Sequence, residues 1–352
     1  MRQGWSVSRM TSSAPEQHRI EKGQPIRVGV LGIGSMGRHH VRNARSTEGF
    51  DLVGIADPSG DRFGVAGDMP VLPDVDALIE TGIDAAIVAV PTIFHEEAAL
   101  KLAEAGVHTL VEKPLAASVE AGQRLADAFN AAGLVGAVGY VERCNPAIME
   151  MRRRVQDGQL GQVYQIVTRR QSPFPARISD VGVVKDLATH DVDLAAWVAG
   201  STYAELFAQT AYRSGREHED MVTVSGRFAN GVLVNHLVNW LTPYKDRTTI
   251  VTGEHGALVA NTVMGDLTFF ENGQMPVQWD QIAAFRGVSE GTMTRYALTK
   301  REPIAVEQEH FRDAIWGVGD EHVTMNDGLA ALRVVEAILK SASSNEVVHF
   351  DN

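Results

Sequence analysis

A short apolar run, Val28–Leu31, leads directly into three glycines, Gly32, Gly34 and Gly37, within the stretch Ile26–His40. No other feature restricts the fold of this chain as tightly. A G-x-G-x-x-G turn between strand and helix has a steric reason for each glycine. The first permits a tight turn, the second lets main chain approach a pyrophosphate, and the third lets the helix pack on the strand. The N–H groups at the helix start then face phosphate oxygens. A second apolar run, Asp51–Ala56, ends in Asp57, twenty residues beyond Gly37. An acid at that strand end can hydrogen-bond the ribose hydroxyls of an adenosine. Two other readings fit the same residues: a structural turn with a surface aspartate, and a site for S-adenosylmethionine.

The rhythm that follows alternates strand and helix. Strands are expected at Ile26–Leu31, Asp51–Ala56, Ala85–Val90, His108–Val111 and Leu134–Val138. Helices are expected at Val75–Glu80, Glu96–Ala105 and Val119–Ala132, the last two stopped by Gly106 and Gly133. Glycine after a helix suits a left-handed cap. This order implies a doubly wound parallel sheet with ligand at the carboxyl ends of its strands. The strand-end segments of interest are Pro91–His95, Glu112–Pro114 and Gly139–Tyr140.

After Asn145-Pro146, which suits a helix cap and first turn, the texture becomes β-rich. Val163–Arg170, Leu206–Tyr212, Val222–Phe228, Val232–Leu241 and Thr248–Thr252 read as half-exposed antiparallel strands. Val234, His236, Val238 and Trp240 share one face; Leu233, Asn235, Leu237 and Asn239 share the other. Such a sheet has an open face that another element, a substrate or a second subunit must cover. A helix at Asp327–Ala342 closes the pattern. The expected divisions are a disordered tail at 1–24, with Met10 as an alternative start, a dinucleotide-binding domain at 25–143, and a substrate and oligomerisation domain at 144–352.

With 352 residues, two domains are the expectation. A net charge of -12 argues against a general nucleic-acid grip. A single cysteine, Cys144, allows no intrachain disulfide and fits a reducing cytoplasm. No apolar run is long enough to span a bilayer, and no signal-peptide core is seen, so no membrane partner is expected.

The glycine turn, Asp57, Pro91-Thr92-x-x-His95, Glu112-Lys113-Pro114 and Asp186-x-x-x-His190 occur in this order. Together they resemble the glucose–fructose oxidoreductase, inositol dehydrogenase and rhizopine catabolism family, from Ile26 onward. One departure is Cys144 after Arg143, where many relatives carry an aromatic. The resemblance implies an α/β protein: an N-terminal Rossmann domain, then a C-terminal α/β domain with an open, mainly antiparallel sheet. It implies NAD(P)-linked hydride transfer at a sugar or cyclitol carbon, with Lys113, Asp186 and His190 as the catalytic group. The implied cofactor residues are Gly32, Ile33, Gly34, Ser35, Met36, Gly37, Asp57, Pro58, Arg62, Val90, Pro91, Thr92, His95, Glu112 and Lys113. The implied substrate residues are Lys113, Tyr140, Arg143, Asn145, Arg177, Asp186 and His190.

The residues suit that chemistry. Removing a hydride from a secondary alcohol leaves a hydroxyl proton for a base, and histidine titrates near neutral pH. On a helix, Asp186 and His190 at i, i+4 share a face, where Asp186 can orient the imidazole or share substrate hydroxyls with it. Lys113 follows a strand, and its ammonium can stabilise a developing alkoxide. Plainer roles are open to each: a helix cap for Asp186, a core site for His190, a surface site for Lys113. His39-His40 is expected to be phosphate-proximal or exposed. His190-Asp191-x-Asp193 lacks a supporting ligand cluster, so no metal is expected.

A carboxylate at position 57 disfavours a 2′-phosphate, so NAD is preferred and NADP less so; Arg62 can stack on adenine. The segment Gln171–Val184, the run Asp186–Asp193 and Asn239–Pro243 most resemble the UDP-N-acetylglucosamine 3-dehydrogenase branch. Arg177 serves substrate oxygens or pairs with Asp180. The alternatives are an inositol dehydrogenase, a free-sugar dehydrogenase, and a dinucleotide-binding regulator without turnover. The remaining expectation is a homodimer or homotetramer.

Overall fold

The computed structural model describes residues 20–175, 181–273 and 289–350. The chain divides into two compact units. The described residues of Met1–Val111, Arg124–Ala137 and Gln308–Thr324 form the first. Those of Glu112–Gln123, Val138–Glu307 and Met325–Asn352 form the second. The chain passes between the units at several places, the one nearest the expected division at residue 143 lying between Ala137 and Val138. Sequence texture marks where strand spacing changes, but not where a later segment returns to an earlier core.

The first sheet contains β1 (Ile26–Leu31), β2 (Phe50–Ala56), β3 (Val71–Leu72), β4 (Ala85–Val88), β5 (His108–Glu112) and β6 (Gly136–Gly139). Its order, β3-β2-β1-β4-β5-β6, is the doubly wound arrangement. The pairs β1–β2, β1–β4, β2–β3 and β4–β5 are parallel. β4 is apolar and buried throughout, as a strand covered on both faces requires, and β1 is buried except at the exposed Arg27. Helices α1 (Gly37–Ala44), α2 (Val75–Glu80), α3 (His95–Glu104) and α4 (Val119–Ala132) connect the strands. Gly106 and Gly133 follow α3 and α4 with φ of 76° and 61°, where a Cβ would be strained.

Residues 20–24 depart from the expected tail. Ile20 packs on the core of the first unit, and Gln24 accepts a bond from Trp316 Nε1 at 3.2 Å. The other overlooked contributor to that core is α7 (Pro303–Ile315), whose Phe311 and Ile315 are buried in it.

In the second unit, Asn145 caps α5 (Pro146–Gln156) by accepting from Ala147 N at 3.1 Å. A nine-stranded sheet follows, made of β7 (Val163–Pro173), β8 (Tyr203–Ala211), β9 (Met221–Phe228), β10 (Leu233–Asn239), β11 (Leu241–Gly253), β12 (Gly256–Asn261), β13 (Asp266–Gly273), β14 (Ser289–Tyr296) and β15 (Val348–His349). Its order is β14-β13-β12-β11-β7-β10-β9-β8-β15. β10 runs parallel to β7; the other recorded pairs are antiparallel. The alternation holds along most of β10: Val234, His236, Val238 and the following Trp240 are buried and Leu233 is 48% and Leu237 38% exposed, but Asn239, expected on the open face, is buried. α6 (Thr189–Ala199) and α8 (Met325–Ser344) cover the buried face. Strands β3 and β12 to β15 were not expected from the sequence; β3 and β15 span only two residues each. No helix among the described residues is long and apolar enough to cross a membrane.

Asp186 does not lie in a regular helix. It occupies a π-helical turn, Val184–Ala188, that runs into α6. Spacing alone could not reveal the wider turn, which is rare and frequent at functional sites.

Candidate active site

The first unit carries a cavity of about 630 Å³ at the carboxyl ends of its strands. The glycine turn forms its floor, and each glycine is used. Gly32 has φ +85°, and a Cβ there would lie 2.8 Å from Ala89 main chain. At Gly37 a Cβ would lie 1.8 Å from the Gly32 oxygen. A Cβ at Gly34 would meet nothing within 4 Å, so that glycine keeps main chain open to a ligand. No side chain caps the start of α1, although Arg38 N already donates to the Gly34 oxygen at 3.3 Å and His39 N to the Met36 oxygen at 2.8 Å. Asp57 ties the turn together: Oδ2 accepts from Ile33 N at 2.9 Å and Oδ1 from Ser59 N at 2.7 Å. A carboxylate has further acceptor capacity for ribose hydroxyls. This donor set fits a dinucleotide.

Of the expected cofactor residues, Gly32, Ile33, Gly34, Ser35, Asp57, Pro58, Arg62, Val90 and Pro91 line the cavity. Ser59, Phe63, Pro73 and Phe94 also line it and were overlooked. Three of these belong to turns whose path no periodicity reveals. Met36, Gly37 and Thr92 stand outside the lining. His95 is a correction: it is buried, and its Nε2 bonds the Val90 oxygen at 2.9 Å, bracing the strand end. His40 is neither exposed nor turned toward phosphate. It is buried against Gln308, whose Nε2 donates to the His40 oxygen at 3.1 Å.

The second unit holds the expected catalytic residues. Lys113 Nζ donates to the Asp186 main-chain oxygen at 2.8 Å and to its Oδ1 at 3.1 Å. Asp186 Oδ2 and His190 Nδ1 are buried and have no hydrogen-bond partner in the protein. Asp186 therefore holds Lys113 and does not orient His190, which corrects the helical reading. The wider π-turn accounts for the change of partner. Burial, reinforced by the positive charges of Lys113, Arg170 and Arg247, pushes the His190 pKa well below its ordinary value. Glu112 is buried beside Lys113 and accepts its main-chain N–H at 3.1 Å.

Tyr140 is buried, with its hydroxyl 2.8 Å from Thr189 Oγ1 and its ring edge-on to His190 at 6.1 Å. Burial raises its phenol pKa above the usual value. Tyr140 thus packs the imidazole in place. Arg143 is a correction to the substrate list: its guanidinium is buried and bidentate to Asp193, at 2.8 and 2.5 Å. Asn145 is occupied as the α5 cap and donates to the Thr262 oxygen at 3.0 Å. Arg177 lies outside the described residues. Buried Arg170 donates to Asp191 Oδ1, next to His190 in the chain, at 2.9 Å and to Glu142 Oε1 at 2.8 Å. The sequence did hint at this pair, because Arg170 shares strand parity with Ile166 and Thr168 on a covered face. Among the described residues no cluster suited to a metal is present.

The fold and donor set define a dinucleotide-binding oxidoreductase. Residues 26–140 match the model described as "Oxidoreductase family, NAD-binding Rossmann fold", and residues 148–259 match the GFO/IDH/MocA C-terminal domain. The chain belongs to the Gfo/Idh/MocA family of NAD-binding dehydrogenases. It is 28% identical over 318 residues to UDP-N-acetylglucosamine 3-dehydrogenase of Acidithiobacillus ferrooxidans, covering 90% of this chain and 96% of that protein. It is 32% identical over 186 residues to scyllo-inositol 2-dehydrogenase (NAD(+)) of Bacillus subtilis, covering 50% of this chain and 54% of that protein. A solved structure of the Acidithiobacillus ferrooxidans enzyme superposes with TM-score 0.78 at 25% identity, covering 91% of this chain and 98% of that one.

Proposed function

We propose that this dehydrogenase acts at the 3-position of a UDP-N-acetylglucosamine-type nucleotide sugar, with NAD as the hydride partner. The observation that carries this reading is likeness along nearly the whole chain to UDP-N-acetylglucosamine 3-dehydrogenase. NAD, when bound, accepts or returns the hydride. The glycine turn and Asp57 hold it in the first unit. His190, kept neutral, takes the hydroxyl proton during oxidation. Lys113 has three N–H donors, of which two bind Asp186; the third serves the reacting oxygen. Asp186 positions that ammonium, and its Oδ2 accepts a substrate hydroxyl.

The test is a panel of UDP-N-acetylglucosamine, myo-inositol, glucose and glucose 6-phosphate, following NAD reduction by absorbance. The highest kcat/KM is expected for UDP-N-acetylglucosamine. A preference for myo-inositol would instead select the inositol dehydrogenase reading, which the likeness to scyllo-inositol 2-dehydrogenase favours. The same reading includes a homodimer or homotetramer in which a second copy covers the open face bearing Leu233 and Leu237. A monomer by light scattering at micromolar concentration would refute that part.

A further inference from the structure

We propose that Arg247 is a substrate contact that selects sugars bearing a phosphate or carboxylate group. The inference rests on the dehydrogenase reading above and deepens it by naming the residue that discriminates a charged sugar from a neutral cyclitol.

Arg247 stands opposite Arg170 in the antiparallel β11–β7 pair, and so on the same face of the sheet as buried Thr249 and Val251. The two arginines differ in their partners. Arg170 is bound to both Asp191 and Glu142. The neighbouring cations are likewise engaged: Lys113 by Asp186, Arg143 by Asp193, Arg169 by Asp246. Half-buried Arg247 makes one long bond, Nη1 to the Gln171 oxygen at 3.4 Å. Among the described residues no carboxylate forms an ion pair with it.

Its place near the base follows from register and ion pairing: Arg247 faces Arg170, Arg170 holds Asp191, and Asp191 adjoins His190 in the chain. The Arg247 charge acts on His190, and Asp186, Asp191 and Glu142 in turn act on Arg247. It is therefore a cation of the same cluster as the base and the Lys113–Asp186 pair. A guanidinium withdrawn from water needs an acceptor, and its planar fork of N–H groups matches a phosphate or carboxylate in bidentate fashion. A neutral cyclitol offers no such group. The sources of the anion are a diphosphate attached to the sugar or a carboxylate on its ring.

The experiment compares full-length enzyme, loaded with NAD, with Arg247→Gln and Arg247→Lys. KM and kcat are measured for UDP-N-acetylglucosamine, glucuronate and myo-inositol, and inhibition is measured with UDP alone. Arg247→Gln should raise KM for the charged substrate, or the inhibition constant of UDP, by about tenfold to hundredfold, as expected for a charge-assisted bond. kcat should stay within about threefold, NAD affinity should hold, and Arg247→Lys should recover part of the loss. An effect on UDP and its sugar identifies phosphate as the partner; an effect on glucuronate alone identifies carboxylate. Unchanged KM and UDP inhibition, or equal losses for charged and neutral substrates, would overturn the inference while leaving the dehydrogenase reading intact. So would a change confined to the pH profile, which would assign Arg247 to His190 alone. An unmutated enzyme that oxidises only myo-inositol and ignores UDP would overturn this inference together with the nucleotide-sugar reading.

Discussion

The ammonium of Lys113 is fixed to Asp186 twice, by the main-chain oxygen at 2.8 Å and by the carboxylate at 3.1 Å. The two bonds do different work. The main-chain bond depends only on the π-turn, whereas the side-chain bond depends on the acid. Lys113→Met should therefore lower kcat by about a hundredfold to a thousandfold, because a transition-state donor is lost. Asp186→Asn should cost about tenfold, since an amide oxygen can still accept and the main-chain bond remains. NAD affinity should be little changed in either variant. Steady-state kinetics with a cofactor-binding titration check both; equal losses in the two variants would contradict the division of roles.

The imidazole of His190 has its pKa held well below the ordinary 6.5 by burial and by adjacent cations. A base must be unprotonated to act, so the neutral form is active in oxidation. The rising limb of kcat/KM should lie below pH 6.5, with activity flat through neutrality. His190→Ala should remove that limb along with most turnover. Asp186→Asn should leave it in place, because Asp186 contacts Lys113 instead. A limb that survives His190→Ala would assign the proton to another group.

Asp57 braces the glycine turn through Ile33 N and Ser59 N as well as facing the cavity. Asp57→Ala should weaken NAD binding about tenfold to hundredfold and narrow the discrimination against NADP. Fluorescence titration with both reduced cofactors measures this. Equal affinity of the unmutated protein for the two would refute the role given to Asp57.

Buried His236 bridges Thr168 Oγ1 at 2.7 Å and the Tyr203 hydroxyl at 2.8 Å, and burial lowers its pKa to about 3. Its unfolded value is near 6.5, so the unfolded chain binds the proton first as pH falls. The stability is complete above pH 6.5 and is lost on acidification toward about 3, by at most about 1.4 kcal/mol per pH unit. Denaturant titrations between pH 7.5 and 4 should show this slope, and His236→Asn should flatten it. An equal slope in the variant would place the acid sensitivity elsewhere.

Local rules made much of this protein legible in its sequence. Glycine spacing, strand parity and helix stops depend on neighbours a few residues away. They were enough to place β1, α4, the cavity floor and the two faces of β10. The order of five short motifs was enough to indicate the family. Tertiary structure decided the rest, because it turns on partners far apart along the chain. Only folding brings Gln308 onto His40, Asp193 onto Arg143 and Asp57 onto Ile33. The π-turn before α6 gives Asp186 to Lys113, 73 residues away, rather than to His190. Arg170 and Arg247 are alike as letters; the register of β11 on β7 sets them side by side, and among the described residues only Arg170 pairs with carboxylates. Sequence fixes which groups are available, while the free energy of burying each charge beside a particular neighbour determines what each group does.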